Sequence, residues 1–146
     1  MDLKKLTYKS QEALGKAIEL AKENKNSQVE DLHLLSAMIQ DSEGVVSGIL
    51  GKLGELGIIR EKLLDEVKNK INELAKISGE AKEPRVSPDL VKVLNGAEKQ
   101  AEKLKDEFVS REHLLLALLL TDCQSSGILK EHNINKDKLL KVLEMI

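Results

Sequence analysis

His33-Leu34-Leu35-Ser36-Ala37 and His113-Leu114-Leu115-Leu116-Ala117 stand eighty residues apart in the chain, and their correspondence decides the fold. Working outward in the same register, Val29 falls on Val109, Ala21 on Ala101, Ala17 on Ala97, Leu14 on Leu94 and Thr7 on Ser87. Towards the C-terminus the register slips by one, so Ser47-Gly48-Ile49-Leu50 meets Ser126-Gly127-Ile128-Leu129. Gly57-Ile58 then meets Asn133-Ile134, and Leu63-Leu64 meets Leu139-Leu140. The matches concentrate on apolar and small residues at helical spacing, which is what repeated packing selects. The chain reads as two copies of one helical unit.

Each copy reads as four helices. The first opens at Thr7 and carries Leu14, Ala17, Ile18 and Ala21 as a core-facing i, i+3, i+4, i+7 stripe. Its counterpart has Ser87 as N-cap, Pro88 at the first helical position, and Leu90, Leu94, Ala97, Ala101 and Leu104 as its stripe. Second helices are predicted over 31–40 and 110–120. Leu114 to Leu120 is apolar on nearly every side, as befits the centre of a bundle. Third helices are predicted over 45–56 and 125–131, and fourth helices over 60–75 and 136–145, the last capped by Asn135. Residues 76–85, with Gly79, Pro84 and several charges but no apolar period, read as a solvated connector. No segment alternates with period two for long enough to predict a strand. The expectation is an all-α fold of eight helices, with repeats at 1–75 and 86–146 sharing one domain.

Composition narrows the function. Among 146 residues, 23 Lys+Arg nearly balance 25 Asp+Glu, and 41% apolar with 33% charged residues suits a globular protein. With one Tyr, one Phe and no Trp, the core must be aliphatic. The near-neutral balance and scarcity of aromatics argue against nucleic acid as a partner. Cys123, being single, cannot close an internal disulfide, which suits the cytoplasm. The Leu114–Leu120 run is far short of the about 20 residues that span a bilayer, and Met1-Asp2-Leu3-Lys4-Lys5 is no signal core.

Catalytic chemistry finds no foothold. Gly51-Lys52 is followed by Leu53, and Val46 stands where a phosphate loop needs its first glycine. Three histidines and one cysteine lack any paired metal-ligand spacing. His33 and His113 are expected to pack at helix starts with their ring tips hydrogen-bonded. Cys123 with His132 lacks the orienting third group of a nucleophilic site. Asp106, Glu107 and Glu112 gather acid near a helix entrance, where negative charge suits the helix dipole.

Two stretches resemble a known family. Leu6-Thr7-Tyr8-Lys9-Ser10-Gln11-Glu12-Ala13-Leu14 resembles the opening of the N-terminal domain of Clp chaperone ATPases. Val86-Ser87-Pro88-Asp89-Leu90, followed by Asp106-Glu107-Phe108-Val109-Ser110-Arg111-Glu112-His113-Leu114, matches its second repeat more closely still. The resemblance covers essentially the whole chain and implies a pseudo-twofold pair of four-helix repeats. It is nearer the ClpB type, a disaggregase, than the ClpC type, an unfoldase feeding a protease. ClpC-type domains usually carry Glu before His in both repeats, whereas Leu32 precedes His33 and only Glu112 is kept. A two-site reader of phosphorylated arginine is therefore disfavoured.

The resemblance implies a binding module without enzymatic activity of its own. ATP and Mg would belong to AAA+ modules elsewhere in a hexameric parent, and the isolated domain would be a monomer without cofactor or metal. Its partners would be unfolded or aggregated proteins, or adaptors. Family positions tied to substrate handling fall on Thr7, Asp106 and Glu112, and groove-wall positions on Gly96, Gln100 and His113. None of the last three is a large aliphatic, so the groove there would be polar and weakly binding. The chain ends at Glu144-Met145-Ile146, where the repeat ends, and so reads as a piece of a longer polypeptide. Two other classes compete: a small enzyme using His33, His113 or Cys123, and a helical repeat that only mediates oligomerisation.

Overall fold

Thr7 and Ser87 do the same work in the two halves. Each holds an extended backbone, and its side-chain oxygen accepts the N–H three residues on, Ser10 at 3.1 Å and Leu90 at 3.0 Å. These caps start α1 (Tyr8–Glu23) and α5 (Pro88–Lys103). The computed structural model describes residues 2–54, 58–79 and 82–145. Both helices also end alike. Lys25 (φ 56°) and Lys105 (φ 61°) take the left-handed conformation. Asn26 N–H then reaches back to the Ala21 carbonyl at 2.9 Å, and Asp106 N–H to that of Ala101 at 2.8 Å.

The remaining elements are β1 (Gln28–Val29), α2 (Asp31–Gln40), α3 (Val45–Leu53), α4 (Ile58–Asn72), β2 (Arg85–Val86), α6 (Arg111–Leu120), α7 (Gln124–Glu131) and α8 (Lys136–Glu144). Eight α-helices are thus found among the described residues, and the fold is all-α. A 3-10 turn, Leu3–Lys5, precedes them. Asp31 to Ile39 of α2 and His113 to Leu119 of α6 are buried without a break, so these helices form the centre. Helix α1 packs on α2 and α5 on α6, closing each half over its own central helix.

The two halves exchange their lead-in segments. Val86 pairs in parallel with Val29, and Ser87 N–H donates to the Val29 carbonyl at 3.0 Å. In the same register, Leu6 bridges Val109, with Thr7 N–H on the Val109 carbonyl at 3.0 Å and Val109 N–H on the Lys5 carbonyl at 2.8 Å. Each first helix is therefore anchored to the strand that precedes the other half's central helix.

Several sequence expectations are corrected. Helix α3 ends at Leu53 because Gly54 is extended and lies so close to Ile59 that a Cβ there would come within 2.5 Å of its side chain. The predicted continuation to 56 partly lies outside the described residues, as do 80–81 of the connector. Helix α4 starts at Ile58 and stops at Asn72, short of 75. Its last turn tightens, and the Ala75 carbonyl is taken by the Asn26 side chain at 3.2 Å. The described part of the connector is mostly exposed, as expected, but it carries backbone pairing that the sequence did not announce: Lys76 pairs with Asn26, Ile77 N–H donates to the Lys25 carbonyl at 2.7 Å, and its end forms β2. Ladders this short have no period for a sequence to display. Helix α7 begins at Gln124, one residue early, with Cys123 as N-cap. Ser10, Ala13, Ala17 and Ala21 make the buried line of α1, leaving Leu14 and Ile18 half-buried, and Leu104 is exposed beyond the end of α5.

Candidate functional site

Each central helix starts on a histidine. His33 Nδ1 accepts the Glu30 N–H at 2.8 Å, and His113 Nδ1 accepts the Ser110 N–H at 2.9 Å. These bonds place the ring proton on Nε2, which donates to Asn26 Oδ1 at 2.9 Å or to Asp106 Oδ2 at 2.8 Å. The expectation of packed histidines with bonded ring tips is met in both repeats. Burial pulls the His33 pKa down to about 4, against the opposing pull of Asp31. Neither ring has a nitrogen left to act as a base.

Asp106, Thr7, Glu112 and His113 gather around the Leu6–Val109 bridge. Thr7 is joined to Val109 through its backbone, and Ser10, which Thr7 caps, donates its hydroxyl to the Val109 carbonyl at 2.9 Å. Asp106 keeps a half-exposed carboxylate on His113, and Glu112 is half-buried in the first turn of α6. The chain's two aromatic residues flank the bridge: Tyr8 is 84% and Phe108 49% exposed. Gly96 lies farther along α5, facing α6. A Cβ there would meet Ala117 and Thr121 at ordinary contact distance, 3.6 and 3.5 Å. Gln100 is half-buried one turn on.

An open apolar groove lies elsewhere. Leu3, Lys4 and Leu6 of the N-terminal segment face Gln11, Leu14, Gly15 and Ile18 of α1 across about 350 Å³. Gly96 and Gln100 do not line it, whereas Leu6 connects it directly to the Val109 bridge. Sequence reasoning placed Leu14 and Ile18 on the packing stripe, and they do pack against the core, but it missed that both are only partly buried and also line this groove. The signal was present in Ala13, Ala17 and Ala21, a second helical line that already supplies α1 with a close-packing face.

Other reactive groups are quiet. Burial pushes the Cys123 thiol up to about 11, with Asp31 adding to the effect, the reverse of what an activated nucleophile requires. No group of three or more His, Cys, Asp or Glu side chains suited to a metal occurs among the described residues. No helix among them is long and apolar enough to cross a membrane.

Residues 5–142 match the family model of the Clp repeat N-terminal domain. The chain is similar to the chaperone protein ClpB of Porphyromonas gingivalis, 33% identical over 144 residues, covering 99% of this chain and 16% of that protein. The chain thus spans about a sixth of the length of the curated relatives it matches. Among solved structures, it is similar to the Hsp104 N-terminal domain from Candida albicans, with a TM-score of 0.79 at 27% identity, covering 94% of this chain and 87% of the other. A ClpV N-domain solved in complex with a VipB peptide shares the fold, with a TM-score of 0.67 at 21% identity, covering 97% and 86% of the two chains.

Proposed function

The chain belongs to the Clp repeat N-terminal domain family, and from that premise we propose that it is the substrate- or adaptor-binding domain of a ClpB-type ATP-dependent chaperone. It would engage unfolded or aggregated segments and pass them to an AAA+ pore. The carrying observation is the open apolar groove, joined through Leu6 to the bridge around which Thr7, Asp106, Glu112 and His113 gather. Apolar walls hold exposed aliphatic side chains, and flanking carboxylates and hydroxyls offer polar contacts. Gly96 and Gln100 extend the proposed contact surface along α5. The peptide seated on a ClpV N-domain supports segment binding as a use of this fold.

Delivery requires release. A groove of this size, holding few side chains at once, suits micromolar or weaker affinity, about 8 kcal/mol or less. ATP and Mg would be bound by other modules of the parent. Gly51-Lys52 lies inside α3, where helical backbone cannot wrap a phosphate.

The test is an NMR titration of the domain with a permanently unfolded protein, against a folded control. Shifts around Leu6, Thr7, Leu14, Asp106 and Glu112 are expected, weakened when Thr7, Asp106 and Glu112 are replaced together by alanine. Absence of shifts at high concentration would favour adaptor docking and the ClpC-type alternative.

A further inference from the structure

On another face of α1 the first repeat holds a cleft of different chemistry. Helices α1 and α4 both pack on α2, and the three enclose about 210 Å³, a size that suits one residue rather than a drug-sized ligand. Leu20 and Ile71 give the cleft two aliphatic walls. Ser36 and Gln40 line it from α2, and the Gln40 amide donates to Ser36 Oγ at 2.8 Å. Ser36 is 1% exposed, and its hydroxyl donates to no group among the described residues. Asn24 and Asn72 complete the polar lining. The Asn24 amide nitrogen is committed to the Leu20 carbonyl at 2.8 Å, which leaves its oxygen to accept. Lys68 is the single charged residue lining the cleft, and it enters no ion pair among the described residues.

Packing does not require these polar groups. In the eighty-residue register Asn24 falls on Leu104 and Ser36 on Leu116, while Gln40 and Leu120 each end a central helix. In the register that sets Leu63 on Leu139, Lys68 falls on Glu144. The second repeat thus builds the same place from leucines and an acid. Burying the Ser36 hydroxyl costs free energy that a leucine there would not. The carbonyls ending α1 and α4 are already engaged: Leu20, Ala21 and Lys22 accept from Asn24, Asn26 and Lys25, and Asn69, Lys70 and Ile71 from Glu73 and Leu74. The negative ends of those helices are thereby blunted towards an anion.

We infer that this cleft binds the C-terminal residue of another protein chain, with an aliphatic side chain between Leu20 and Ile71 and the free carboxylate on Lys68. The site shares no residue with the groove of the proposed function and does not depend on it. Lys68, Asn72 and the Ser36 hydroxyl supply donors for the carboxylate oxygens, and Asn24 Oδ1 accepts the terminal residue's N–H. The preceding residues have a path. Leu20 and Gln40 also line a neighbouring cleft of about 180 Å³, with exposed Lys16, Glu19 and Glu23 beside buried Ala37. A free small carboxylate would leave that second cleft empty. Two acids against one lysine there favour a neutral or basic residue ahead of the terminal one.

The experiment is an NMR titration of the domain with an acetylated hexapeptide of Gly and Ser ending in Leu, as the free acid and as the C-terminal amide. The acid is expected to shift Leu20, Asn24, Lys68, Ile71 and Asn72 with one peptide bound, and to leave Leu6 and Thr7 unmoved. It should bind roughly two- to fivefold more tightly than the amide, the scale of one exposed charge pair. Ending the peptide in Ser instead of Leu should weaken it about tenfold, the scale of one lost apolar side chain. Lys68 is exposed, so Lys68→Ala keeps the fold and should erase the preference for the acid. Gln40→Leu, which puts the second repeat's residue at an exposed position, should weaken acid and amide alike. Acid and amide bound equally, a preference that survives Lys68→Ala, or shifts outside the cleft would overturn the inference. So would N-acetylleucine binding as tightly as the hexapeptide, because the ligand would then be a small carboxylate. An unfolded client that shifts Leu6 and Thr7 while the peptide acid fails removes this site and leaves the proposed function standing. The reverse result removes that function and keeps the site.

Discussion

The first and second repeats place a histidine at the same point of the fold and give it different company. His33 is sealed, with Asn26 as the partner of its Nε2, and Asn26 is itself buried and tied to Ala75. His113 makes the same backbone bond, but its Nε2 meets Asp106, whose carboxylate is half in solvent. The shared Nδ1 bond is what starting a central helix requires, so it survives in both copies. The Nε2 partner is free to diverge, and in the second repeat it brings a charge to the surface beside Val109 and Phe108. One histidine thus locks the interior, while the other holds a polar group in place at the candidate site.

The sharpest way to break this comparison is to remove each ring. His33→Leu leaves the Glu30 N–H and the Asn26 Oδ1 without partners inside the protein, although the Asn26 amide nitrogen keeps Ala75, and should cost about 3 kcal/mol. His113→Leu should cost about half as much, because solvent can satisfy Asp106. Equal losses in urea unfolding would show that the two sites are equivalent after all.

A pH series sharpens it next. Because burial lowers the His33 pKa from 6.5 to about 4, the unfolded chain binds more protons than the folded one between those values. This contribution to stability is complete above about pH 6.5 and is lost as pH falls through about 4. The full shift corresponds to roughly 3 kcal/mol. His33→Gln, which does not titrate, should flatten unfolding free energy across that window.

Smaller effects test the parts the repeats share. Ser87→Ala removes a buried cap and should lower stability by about 1 kcal/mol. Thr7→Ala, at a half-exposed position, should cost somewhat less by the same denaturation measurement. Smallest of all, Asp106→Asn gives the second repeat the first repeat's chemistry. It should change stability by less than about 0.5 kcal/mol while weakening the binding of an unfolded client. A large stability loss would make Asp106 a structural residue and remove it from the proposed site.

Much of the fold was legible because repetition doubles the signal. Ser87-Pro88 marks the start of α5, Asn135 that of α8, and the all-apolar run after His113 marks a central helix; each behaves as its residue types dictate. The histidine bonds were legible too, since a ring at the third position of a helix has backbone within reach. What escaped was long-range. No local pattern announces that Asn26 will draw off the end of α4, or that Val29 and Val86 will pair. The groove escaped for a different reason: periodicity identifies an apolar face but not whether anything covers it. Leu14 and Ile18 satisfy the helical rule equally well in a core or on a binding surface.

The exchanged lead-in segments also bear on how the chain is made. Leu6 leaves the ribosome early, yet its bridging partner is Val109, more than a hundred residues later. The first helix can form at once, but its anchor cannot close until the second repeat has largely been synthesised. Val29 likewise waits for Val86. Contacts of such long sequence separation slow folding and couple the halves, so neither first helix is anchored until the other half's strand has been made.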